Sequence, residues 1–96
     1  MKEYSTTQVQ ELLDEGLNLI DVREVHEVAQ GKIPEAVNIP LGLLEFRMNE
    51  LEKSKQYIIV CRSGARSAQA TKFLESHGFN VINMSGGMLT WEGPIE

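Results

Sequence analysis

The stretch Tyr57-Ile58-Ile59-Val60-Cys61-Arg62-Ser63-Gly64-Ala65-Arg66-Ser67 decides the fold. Tyr57 to Val60 are apolar at every position, as a strand must be when helices cover both faces of a parallel sheet. The polar turn that follows leads into Ala70, Phe73 and Leu74, an apolar stripe at helical spacing that closes at Gly78 with Phe79 beyond it. That ending is the pattern of a Schellman cap with its hydrophobic contact. Strand, turn and helix in this order are half of an α/β unit, and the turn lies at the carboxyl end of the strand, where open α/β sheets bind ligands.

Working outward, the same alternation continues. Ser5 and Gln8 have capping-box spacing, Val9, Leu12 and Leu13 line one helical face, and Gly16 suits the left-handed position that ends a helix. Leu19-Ile20-Asp21-Val22 reads as a short strand, and Arg23 to Gly31 leaves room for a helical turn or two. Pro34 and Pro40 bracket a second extended piece, Ala36 to Ile39, and Leu44, Met48 and Leu51 recur at helical spacing within one predicted helix from Leu41 to Leu51. Val81-Ile82 is a further strand, and Gly86-Gly87 opens a short helical segment ending near Trp91. The expected architecture is an α/β fold with a parallel sheet, helices on both faces and right-handed crossovers. No repeat or linker breaks the chain, so residues 1–96 are expected to form one domain.

Composition narrows the function. With 42% hydrophobic and 24% charged residues the chain is an ordinary globular protein, and such a domain holds a net stability of about 5–14 kcal/mol without a disulfide or metal. Nine Lys and Arg against fourteen Asp and Glu give a net charge of -5, which argues against nucleic acid as a partner. A single cysteine rules out an internal disulfide, and two scattered histidines, His26 and His77, make a poor metal set. Both read as solvated surface residues. The start of the chain has no apolar run suited to a signal peptide or membrane span, so with its free thiol the protein is expected in the reducing cytoplasm.

The chemistry gathers at Cys61. A lone cysteine at a strand end is ordinarily a small buried hydrophobe. Here, however, Gly64, Arg62 and Arg66 follow within five residues, and burying cations beside an inert thiol brings no return. Turn amides, the positive end of the next helix and two guanidinium groups all favour an anion, so the thiol is expected to ionise below its free value of about 8.5. Gly64 lets the turn curl around an anion, and Ser63 and Ser67 add hydroxyl donors unless Ser67 caps the helix. Asp21 is expected to bond loop amides or cap the next turn rather than to act on substrate. Arg23 and Glu27 are spaced for a helical ion pair, and Trp91 is expected to pack on the sheet edge.

Across the whole chain the sequence resembles the single-domain rhodanese family. Ile20-Asp21-Val22-Arg23-Glu24 with Gly31-Lys32-Ile33-Pro34-Glu35-Ala36-Val37-Asn38-Ile39-Pro40 matches its N-terminal signature, Cys61 to Arg66 its six-residue active-site loop, and Gly86-Gly87 with Trp91 its C-terminal motif. It departs from the commonest pattern at Lys32, where the family often has His, and at Glu35, where it often has Gly. Those departures lie outside the loop and are expected to touch surface contacts rather than chemistry.

The resemblance implies a rhodanese-like fold with a central parallel sheet of five strands. It also implies a sulfurtransferase that needs no cofactor: Cys61 takes sulfur from a small anionic donor such as thiosulfate, becomes a persulfide, and passes the sulfur to cyanide, a thiol or a protein acceptor. Arg62, Ser63, Gly64, Ala65 and Arg66 would bind the substrate through their amides, the arginines attracting the donor. Two other readings stay open. Related loops serve cysteine phosphatases and arsenate reductases, although these usually place five residues between Cys and Arg, where this chain has four. The fold also serves as a non-catalytic protein-binding module, often without the cysteine.

Overall fold

In the computed structural model, which describes Met1–Glu96, the apolar run forms strand β4 (Gln56–Val60) at the centre of a parallel five-stranded sheet. The other strands are β1 (Glu3–Ser5), β2 (Asn18–Asp21), β3 (Val37–Asn38) and β5 (Asn80–Ser85), in the order β1-β5-β4-β2-β3. Four helices complete the chain: α1 (Thr6–Leu12), α2 (Val25–Val28), α3 (Leu44–Arg47) and α4 (Ala65–Ser76).

Side chains alternate across the sheet, so β4 feeds two cores. Tyr57, Ile59 and Cys61 join Leu44 of α3 and Ala70 and Leu74 of α4 on one face. Ile58 and Val60 join Val9 of α1, Ile33, Met84 and Trp91 on the other. Ile58, Ile59 and Val60 are at most 1% exposed, each worth about 1.5–3 kcal/mol of burial, and this holds the strand that ends in Cys61 rigidly in place.

The helix ends follow the sequence closely. Gln8 N–H donates to Ser5 Oγ at 3.1 Å and Ser5 N–H to Gln8 Oε1 at 2.8 Å, which completes the capping box of α1. At the end of α4, Gly78 N–H donates to the Glu75 carbonyl and Phe79 N–H to that of Leu74, both bonds of a Schellman cap.

Three elements differ from expectation. The fifth strand is β1, which pairs Glu3 with Asn83 and Ser5 with Ser85. Its three residues carry only one half-buried apolar side chain, Tyr4, too short a run for an alternation signal. Leu41 to Leu51 is one α-helical turn, α3, between 3-10 turns at Leu41–Leu43 and Met48–Glu50. Gly42 weakens the first turn and only Leu44 is fully buried, so packing secures one turn and lets the flanks tighten. The last segment, Gly87–Thr90, is also a 3-10 turn, and Trp91 beyond it packs in the α1-side core with Nε1 donating to the Pro94 carbonyl at 3.0 Å.

The expected Arg23–Glu27 ion pair does not form, because α2 begins only at Val25 and Arg23 lies outside its first turn. Arg23 turns back to Asp21 instead. Its Nη2 lies 2.8 Å from Asp21 Oδ2 and donates also to the Gly31 carbonyl, while its backbone N–H donates to Asp21 Oδ1 at 3.0 Å. Asp21 thus turns the chain at the end of β2 by accepting from the Arg23 amide and guanidinium, and neither bonds the amides of the Cys61 loop nor caps α2, whose cap is Glu24. Glu35 takes a left-handed φ of 70°, the one non-glycine residue to do so, which gives a backbone reason why glycine suits that position.

Candidate active site

Cys61 follows β4 directly, is 0% exposed, and points into a turn that closes at the first residue of α4. Its Sγ accepts from Gly64 N–H at 3.1 Å and lies 3.2 Å from Ser67 Oγ, whose hydroxyl donates to the sulfur once it is ionised. Burial pushes the thiol up. The Ser67 hydroxyl and the amides of Ser67, Gly64 and Ser63 together outweigh burial and hold it below the ordinary thiol value. Gly64 makes this possible with a φ of 100°, and a Cβ there would press on Gly86 N at 3.1 Å.

Amides face inward because the matching carbonyls are held outside. The Cys61 carbonyl accepts from Met88 N–H at 2.9 Å, that of Arg62 from Leu89 N–H at 3.0 Å, and that of Gly64 from Ala68 N–H at 3.1 Å. Gly87 sits against this wall at a φ of 61°, with no room for a side chain. The C-terminal Gly-Gly segment therefore braces the loop from behind.

The two arginines behave differently from each other and from expectation. Arg66 is engaged by Glu27 in a bidentate pair, at 2.6 and 2.8 Å, so it is not free to draw in an anion. The hydrogen bond from Arg66 holds the Glu27 carboxyl down at about 2, and Glu27 in turn raises Arg66. The lowering of the Cys61 thiol is led by a hydroxyl and amides, with the Arg66 charge also coupled to the sulfur. Arg62 is exposed and has no carboxylate within ion-pair distance. It lines a pocket of about 240 Å³ with Arg23, Glu27, Gln30, Met88 and Leu89, a pocket that does not reach Cys61. Ser63 and Ala65 are exposed; Ser63 contributes its amide and Ala65 the first turn of α4.

The Glu27–Arg66 pair carries a pH signature. Because the folded carboxyl titrates at about 2 rather than 4.5, its stabilisation is complete above about pH 5 and fades as pH falls toward 2. Glu27→Gln is expected to lower stability at neutral pH by about 1 kcal/mol, as for a partly exposed pair, with the gap shrinking from about pH 5 and closing as pH falls through 2. Urea unfolding of both proteins across that range measures it; a gap that persists at low pH would mean that charge is not the cause.

His26 and His77 are exposed, the His77 ring lying tilted at 42° against Phe73 with centroids 4.4 Å apart. No group of three His, Cys, Asp or Glu side chains is placed to hold a metal ion. No helix is long and apolar enough to cross a membrane.

A family model described as the rhodanese-like domain matches residues 5–94. The chain belongs to the rhodanese family. Among similar proteins, "Putative sulfurtransferase YtwF" of Bacillus subtilis is 48% identical over 95 residues, spanning 97% of this rhodanese and 92% of that protein. A protein named "Sulfurtransferase" from Allochromatium vinosum is 44% identical over 78 residues, covering 80% and 73%. The crystal structure of a rhodanese-like domain protein from Staphylococcus aureus superposes with a TM-score of 0.95 at 35% identity, covering 100% of this chain and 97% of that one.

Proposed function

We propose that this rhodanese is a sulfurtransferase in which residues 1–96 act as one catalytic unit and Cys61 is the nucleophile. The observation that carries the reading is the ring of N–H and O–H donors around Sγ, which favours a thiolate in a site without a histidine base. The relatives named as sulfurtransferases support it.

The Cys61 thiolate attacks the outer sulfur of a small anionic donor such as thiosulfate. A new S–S bond forms, the donor's own S–S bond breaks, and sulfite leaves with the electron pair. The outer sulfur is then taken by cyanide, a small thiol or a protein thiol, which returns the pair to Cys61 as thiolate. No cofactor is consumed. The turn from Arg62 to Arg66 is the cradle for the transferred sulfur, the amides of Ser63 and Gly64 lying nearest to it, and the exposed Arg62, which has no carboxylate partner, draws in the donor's charge. Cys61 is wholly shielded, and the donor is expected to approach it past the exposed Arg62-Ser63 turn. A free, reactive thiol of this kind suits a reducing cytoplasm.

Four residues between Cys61 and Arg66 close the ring on one atom more readily than on the equatorial oxygens of a phosphoryl group, which favours sulfur over phosphate. Mass spectrometry tests the reading. Incubation with thiosulfate is expected to add one sulfur to Cys61, and cyanide to remove it; an unchanged mass would refute the covalent mechanism.

A further inference from the structure

Asn83 is a polar residue buried where an apolar one would fit. It lies on β5 between Glu3 of β1 and Ile59 of β4, two positions on from Val81 and on the same α4-side face. It is 1% exposed, and its Oδ1 is buried without a partner. Such an orphan costs about 1–3 kcal/mol, a penalty an apolar residue of similar size avoids. The Nδ2 group is better placed, donating to Glu3 Oε2 at 2.9 Å and to the Gly64 carbonyl at 3.4 Å.

Gly64 is the residue whose own N–H reaches Cys61 Sγ. Its carbonyl already accepts Ala68 N–H, the first hydrogen bond of α4, so the Asn83 carboxamide is a second donor, reaching it from the sheet. Held from the helix and from the sheet, the residue keeps its φ of 100° and its amide stays aimed at the sulfur. Glu3 fixes which way the carboxamide faces: a flipped amide would set Oδ1 against the Glu3 carboxylate and the Gly64 carbonyl, three acceptors together.

We propose that Asn83, oriented by Glu3, is a positioning residue for the Cys61 cradle, so that the edge strand β1 acts on the active-site sulfur through the chain Glu3, Asn83, Gly64. This rests on the reading of Cys61 as a thiolate nucleophile. The orphaned Oδ1 is the consequence of turning both Nδ2 hydrogens to that task.

The experiment titrates Cys61 by ultraviolet thiolate absorbance and follows thermal unfolding in the full chain, for the wild type, Asn83→Leu, Glu3→Ala and the double variant. In Asn83→Leu the thiol midpoint is expected to rise by about half to one pH unit, so that alkylation by iodoacetamide below the midpoint slows about three- to tenfold. Its Tm is expected to stay level or rise, since the orphan is gone. Glu3→Ala is expected to move the midpoint in the same direction by less, and to add nothing to Asn83→Leu. An unmoved midpoint in Asn83→Leu would overturn the proposal, whatever happens to Tm. Should that variant not fold, the midpoint of Glu3→Ala decides in the same way. A wild-type midpoint at the ordinary thiol value would overturn the thiolate reading and with it this proposal, an outcome distinct from a low wild-type midpoint that the variants share.

Discussion

Cys61→Ser is expected to reduce sulfur transfer from thiosulfate to cyanide to the uncatalysed background. Cys61 is the chain's only thiol, so no other side chain can take its place in a persulfide. A serine hydroxyl is not ionised at neutral pH, and the site holds no base to activate it, since His26 and His77 are both on the surface. The fold is expected to survive. The replacement is nearly the same size, and its buried hydroxyl meets the Gly64 amide and the Ser67 hydroxyl that now face the sulfur, so no polar group is stranded. The variant is therefore expected within about 1 kcal/mol of the wild type. Steady-state turnover with thiosulfate and cyanide, alongside thermal unfolding, measures both halves. Turnover within tenfold of the wild type would remove Cys61 from the mechanism.

The strand, turn and helix around Cys61 were legible because each depends on local rules. An all-apolar run, a glycine at the turn and an apolar stripe ended by Gly78 and Phe79 each have one good structural solution. The place of Cys61 at the strand end was legible for the same reason. The pairing of the charges around the site was not. Glu27 claims Arg66 from 39 positions away, a pairing that no helical spacing shows. Arg23 turned out to belong to Asp21, a neighbour in sequence that strand-and-helix periodicity does not connect to it. The sequence pointed to turn amides, the helix end and arginine charge together as the forces on the thiol; in the structure the Ser67 hydroxyl and the turn amides lead among those that lower it. Ser67 was recognisable as a donor but equally as a helix cap; the cap position belongs to Gly64, and this releases the Ser67 hydroxyl for the sulfur. Strand β1 went unread because three residues with one half-buried side chain carry no periodicity, yet its Glu3 reaches Asn83.

Gly87→Ala is expected to disable the site from behind. At a φ of 61° an added Cβ would collide with the Arg62 carbonyl oxygen and lie 2.6 Å from its carbon and 2.7 Å from the Cys61 carbonyl oxygen. All three are backbone atoms of the active loop, so no side chain can rotate out of the way. The loop must shift, and with it the Met88 and Leu89 amides that hold those carbonyls outward and leave the inward amides to the sulfur. A displacement of about 1 Å at a reacting centre costs about 100-fold in rate, and that is the loss expected in kcat/KM for thiosulfate. Overpacking adds about 1–3 kcal/mol of lost stability. Gly16→Ala separates the two effects. Gly16 has a similar φ of 74° but nothing within 4 Å of its would-be Cβ, and it ends the first helical segment far along the chain from the loop. That variant is expected to lose about 1 kcal/mol from backbone strain alone and to keep full turnover. If Gly87→Ala loses stability as Gly16→Ala does and likewise keeps its rate, the wall behind the loop has no part in holding the amides toward Cys61.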